Sequence, residues 1–215
     1  RALDTPVTGG NVSFYNENTQ GAVYPTPVIG MVGLLENIND FTSASFKDEG
    51  DFIVALGAIN STLGGSEYLK TIHNKIEGPI HNFDIETELS VQKLCLNAIR
   101  KGLIKSAHDL SDGGLAVNIS ESILFSENKI GAEINLSRKL RQDELLFGEC
   151  QSVIIVSIEE GNLHKLVSMA NELNVYTQTI GKVTSSDKLI INDLIDIDRG
   201  LLHKAYYDSI EDIME

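Results

Sequence analysis

The run Gly9-Gly10-Asn11-Val12-Ser13 carries the residue types best suited to phosphate and metal chemistry. A glycine pair ahead of a strand lets the backbone approach a phosphate closely, because no Cβ stands in the way. Asn11 offers a carbonyl oxygen that suits Mg²⁺, a hard cation preferring oxygen ligands. Ser13 lies two residues on, on the same face of an extended chain, and brings a hydroxyl for a phosphate or carbonyl. Glycine and asparagine are also ordinary turn formers, so on its own the run reads either as a ligand loop or as a structural turn.

Two further groups have donor-rich side chains at turns. In His108-Asp109-Leu110-Ser111-Asp112-Gly113-Gly114, Asp109 and Asp112 could hold a metal and the glycines could admit a phosphate ahead of a helix. The alternative is structural, with Asp112 capping that helix and His108 a satisfied core group. Glu149 and Gln151 flank Cys150 and leave the same pair of readings open. Neither cysteine has the setting of a nucleophile: Cys150 has an apolar flank with no histidine near it in sequence, and Cys95 falls on an apolar helix face. His73, His81, His164 and His203 show no ligand spacing and read as surface or packing residues.

These residues need elements to position them. Val12–Tyr15 reads as a short strand, and Pro25-Thr26-Pro27 forces an extended entry into Val28–Leu35, a continuous apolar run that predicts a strand buried on both faces. The polar stretch Glu36–Gly50 is a connector and the candidate domain boundary. Phe52–Leu56 predicts a buried strand, and Leu63–Tyr68 a loop opening a short helix. Ile85–Leu103 has helical apolar spacing, with Gly102 at its end. Ile104–Leu110 and Leu115–Phe125 then form a strand and a helix around the glycine turn. Further strands are expected at Glu133–Leu136, Ser152–Ile158, Thr177–Val183 and Lys188–Ile191, with helices at Leu163–Leu173 and Arg199–Glu215. The fold class is α/β (α+β), with helices expected on one side of a largely antiparallel or mixed sheet.

The chain has 215 residues, 42% of them hydrophobic, enough for one full core and part of a second. A formal net charge of −14 argues against a general nucleic-acid or anionic-membrane surface, since the average field repels phosphate polymers. A small phosphorylated ligand remains compatible, because a metal and a few aimed N–H groups override a distant net charge. No run reaches the roughly 20 apolar residues of a membrane span. Two cysteines without metal or disulfide spacing suit a reducing cytoplasm.

Taken together, the motifs resemble one family. Asp4–Glu17 followed by Pro25–Gly33, then Leu63-Gly64-Gly65-Ser66-Glu67-Tyr68, His108–Leu115 and Leu146–Ser152, are similar in content and order to the signatures of phosphoribosylformylglycinamidine synthase, and they extend over essentially the whole chain. That resemblance implies a synthetase of duplicated halves. Residues 1–45 would be the last strands of an incomplete N-terminal-type domain, and residues 46–215 a C-terminal domain of the aminoimidazole ribonucleotide synthetase type. The chain would be the C-terminal part of the enzyme, inactive alone.

The resemblance also implies roles for single residues: Gly10 toward ATP, Asn11 toward Mg²⁺ and Ser13 toward substrate. Asp109, Asp112, Glu149 and Gln151 would belong to a second-half copy of the motifs, at a degenerate or structural nucleotide pocket. The implied reaction converts formylglycinamide ribonucleotide, ATP and glutamine-derived ammonia to the amidine, with upstream synthetase domains and a glutamine amidotransferase as partners. Two rivals stay open, another ATP-dependent enzyme of the same superfold and a docking domain without chemistry.

Overall fold

The structure is a computed structural model that describes residues 2–12, 16–19, 21–80, 82–136 and 140–214. The chain divides into two compact units, Arg1–Asp40 and Phe41–Glu215. The smaller holds a short antiparallel hairpin, β1 (Glu17–Asn18) and β2 (Gly21–Ala22). The strand expected at Val12–Tyr15 lies mostly outside the described residues. The one expected at Val28–Leu35 does not form: the stretch is irregular, with Val28 and Val32 96% and 99% exposed. Apolar content specifies a buried strand only where neighbouring strands and a covering layer exist. Among the described residues, none pairs with this stretch.

The larger unit runs β3 (Phe52–Leu56), α1 (Glu67–His73), α2 (Ile85–Arg100), β4 (Ile104–Asp109), α3 (Gly114–Leu124), β5 (Gly131–Ile134), α4 (Gln142–Phe147), β6 (Ile154–Ile158), α5 (Glu160–Glu172), β7 (Thr177–Thr184), β8 (Lys188–Ile191) and β9 (Ile195–Asp198). A terminal helical run follows, α6 (Arg199–His203) and α7 (Ser209–Met214) joined through a π-helical turn at Lys204–Asp208. The strands make one seven-stranded sheet in the order β4-β6-β3-β7-β5-β8-β9. Every pairing in it is antiparallel except β5 with β8.

Helices cover both faces of this sheet, which corrects the expectation of one. Along β3 the residues alternate, Ile53 and Ala55 packing with Leu115, Ile119 and Ile123 of α3, and Val54 and Leu56 with Leu94 and Ala98 of α2 and Leu166 of α5. Since both sets are apolar, each face needs its own cover. Fully burying one such aliphatic side chain contributes about 1.5–3 kcal/mol.

Local signals fix the element ends that matter for the site. Asp84 caps α2 by accepting the Thr87 N–H at 2.9 Å, and the Thr87 contacts hold its carboxyl below the usual range. Gly102, with φ +60°, stops the helix where the sequence placed the stop. The connector is tied to β4: Thr42 Oγ1 donates to Lys105 O at 2.6 Å, the Ala107 N–H to Ser43 O at 3.1 Å, and Lys105 Nζ to Asp48 Oδ2 at 2.7 Å and, just past the connector, to Asp51 Oδ1 at 2.8 Å. Burial raises the Asp51 carboxyl against the pull of Lys105.

Candidate functional site

Residues 9–12 are irregular and exposed. A Cβ built on Gly9 or Gly10 meets nothing within 4 Å, and neither glycine adopts the left-handed conformation. Asn11 stands next to this open backbone with its carboxamide exposed. Residue types and openness fit a phosphate group and an oxygen-liganded cation. Ser13 lies outside the described residues.

The other four candidate residues come together in the larger unit, and the sheet explains why. Because β4 and β6 are antiparallel neighbours with Asp109 opposite Ile154, the end of β4 meets the start of β6. Leu56, the end of β3, also faces Ile154, so the loop after β3 arrives at the same place. Asp109, Ser111, Asp112, Glu149, Gln151 and Ser152 thus line one cleft of ≈ 360 Å³ with Glu88 and Gln92 of α2. That volume is at the small end for a ligand pocket. Glu88, Asp109, Asp112 and Glu149 supply only negative charge to its lining.

Most of these side chains already have partners. Glu149 Oε1 accepts the N–H of Glu67 and the N–H of Gly113, each at 2.9 Å. Glu88, which sequence reasoning missed, accepts from Ser152 Oγ at 2.6 Å and from Gln92 Nε2 at 2.6 Å. Its only sequence signal is a place one helical turn before Gln92, common to any polar helix face. His108 is satisfied, as in the structural alternative, with Nε2 2.9 Å from Glu121 Oε2. Asn118 Nδ2 holds the end of β4 by donating to Asp109 O at 2.7 Å.

Asp112 is not the helix cap. Gly113 takes that position with no side-chain cap, and Asp112 is exposed. The reason is conformational: Gly113 and Gly114 have φ of +78° and +69°, and this left-handed pair turns the chain so that the residue before it is not aimed at the helix end. Among the described residues, no three His, Cys, Asp or Glu side chains converge as a metal site. Both thiols are buried, and desolvation pushes Cys95 up to about 11 and raises Cys150, whose sulfur receives the Ser61 hydroxyl at 3.7 Å. Neither has thiolate character, in keeping with packing roles. His81 lies outside the described residues.

A mixed seven-stranded sheet layered by helices, with a strand, a double-glycine turn and a helix at its cleft, defines the class of the larger unit. The chain belongs to the family "AIR synthase related protein, C-terminal domain", whose model matches residues 48–193. All of the chain aligns, at 37% identity over 218 residues, with 29% of phosphoribosylformylglycinamidine synthase subunit PurL of Alkaliphilus metalliredigens (strain QYMF). Among solved structures, T. maritima PurL complexed with FGAR matches with a TM-score of 0.65 at 16% identity, covering 77% of this chain and 30% of that one. T. maritima PurL complexed with ATP matches at 0.60 and 16%, covering 77% and 28%. These structural likenesses speak to the fold. The chain spans under a third of the length of each of these PurL proteins.

Proposed function

We propose that this chain works as part of a phosphoribosylformylglycinamidine synthase, an ATP-dependent ligase of purine biosynthesis that joins glutamine-derived ammonia to formylglycinamide ribonucleotide. The observation that carries the proposal is the alignment of the whole chain with part of a PurL subunit. Binding of ATP and FGAR by structural neighbours supports the choice of ligands. In this reading residues 1–45 complete one domain of the larger enzyme and residues 46–215 form another. A glutamine amidotransferase supplies the ammonia, and the work is cytoplasmic. Among the described residues, no helix is long and apolar enough to cross a membrane.

Gly10 would accept the nucleotide phosphates against bare backbone, and the Asn11 carboxamide oxygen would hold Mg²⁺. Bound together, ATP and Mg²⁺ supply a transferable phosphoryl group with its charge offset. The Ser13 hydroxyl would orient the substrate by a hydrogen bond. The charged side chains lining the cleft of the larger unit are all acidic, so a phosphate there would need a bridging cation.

Steady-state kinetics of the full-length enzyme test the substrate assignment. Ser13→Ala is expected to raise the apparent KM for formylglycinamide ribonucleotide by about tenfold, the worth of one hydrogen bond to a charged group, with the KM for ATP unchanged. An unchanged substrate KM removes Ser13 from the site.

A further inference from the structure

The double-glycine turn before α3 has the look of an oxyanion cradle, but its donor is already engaged. Glu149 Oε1 receives the Gly113 N–H from 36 residues away and the Glu67 N–H from 82 residues away. The carboxylate is delivered from a fixed backbone: Glu149 and Thr62 exchange both their N–H···O bonds, at 2.9 and 3.2 Å. The donors are divided without competition. Ser66 Oγ takes the Leu69 N–H of α1 at 3.3 Å, which leaves the Glu67 N–H to Glu149.

Packing between the loops beside this oxygen is close. A Cβ on Gly114 would stand 2.5 Å from Gly148 O, and one on Gly148 would stand 2.7 Å from Ser61 Cβ and 2.4 Å from Glu144 O. The loop after β3, the turn before α3 and the loop after α4 therefore interlock backbone to backbone, with one carboxylate oxygen at the junction. Tyr68 of α1 stacked on Phe147 of α4, with ring centroids 5.2 Å apart, closes the same joint from outside.

We propose that Glu149 is an internal anion. Its carboxylate fills the oxyanion position formed by the Gly113 and Glu67 N–H groups and so acts as the positioning residue that locks the three loops. A tethered carboxylate competes at a high effective concentration and loses no translational freedom on arrival, whereas a free anion is repelled by Glu88, Asp109 and Asp112, which line the cleft beside Glu149. The turn is thus self-liganded. This inference is independent of the nucleotide chemistry proposed for residues 9–13.

Chemical rescue of the 215-residue chain tests it. Glu149→Ala should lower Tm by about 4–8 °C, as expected where charge-assisted bonds are lost and two half-buried donors are stranded. Formate, compared with chloride at equal ionic strength, should then raise the Tm of the variant saturably and leave the parent chain unmoved. Absence of any formate effect on the folded variant, or an equal effect on both proteins, overturns the proposal. Should Glu149→Ala not fold, Glu149→Gln is followed by amide NMR. Upfield movement of both the Glu67 and the Gly113 amide protons supports the shared carboxylate, and an unshifted pair overturns it.

Discussion

Gly9-Gly10 and Gly113-Gly114 are the same dipeptide, each placed beside side chains with oxygen donors, and the structure treats them in opposite ways. A Cβ at the first pair would point into open space, and its backbone is one that other residues could adopt. At the second pair both residues are left-handed, and a Cβ would strike Val117 or the backbone at Phe147 and Gly148. The first pair has no internal need to be glycine. The second is glycine because the fold itself packs against it. The open pair leaves room for the ligand chemistry proposed for this segment, and the packed pair gives residues 109–114 an architectural role.

Substitution at the packed pair should have the largest effect. Gly114→Ala forces a Cβ into backbone at a positive φ, and urea unfolding should show a loss of about 2–5 kcal/mol, combining left-handed strain with overpacking. A neutral result would mean that the interlocked loops yield easily, and the contrast between the two pairs would fail. Gly10→Ala in the same chain should change stability by no more than about 0.5 kcal/mol, as at other exposed positions with ordinary backbone. A large loss there would show that Gly10, too, is structural.

Much of the larger unit was legible in the sequence, for reasons that also explain the errors. The period of α2, the run of β3 and the glycine turn between β4 and α3 are local patterns, and local patterns survive without knowledge of the fold. In β3, however, Ile53-Val54-Ala55 is apolar at every position, so a period of two cannot say whether one face is covered or both. The Val28–Leu35 run fails for a related reason, since continuous apolarity needs strand partners to become a strand. Strand β9 was there to be seen: in Ile195-Asp196-Ile197-Asp198 the isoleucines pack on the core and Lys188 reaches Asp196 at 2.9 Å. Helix α4 has six residues, too few for periodicity to show.

The site was legible as a set of residues and less so as a set of roles. The family resemblance implied that Asp109, Asp112, Glu149 and Gln151 belong to one pocket, and they line one cleft. What Glu149 does there depends on donors 36 and 82 residues away, which no local spacing encodes. The missing cap at Asp112 likewise follows from two positive φ values rather than from residue type.

The contrast between the two glycine pairs comes down to one side-by-side assay in the full-length enzyme, ATP-dependent amidine formation by Asn11→Ala and by Asp112→Ala. The account predicts that Asn11→Ala lowers kcat/KM for ATP by at least about tenfold through loss of a metal-positioning group, while Asp112→Ala stays within about twofold of the parent. A normal Asn11→Ala enzyme beside a crippled Asp112→Ala enzyme would contradict it, by placing the chemistry at the packed turn and the structural role at the open one.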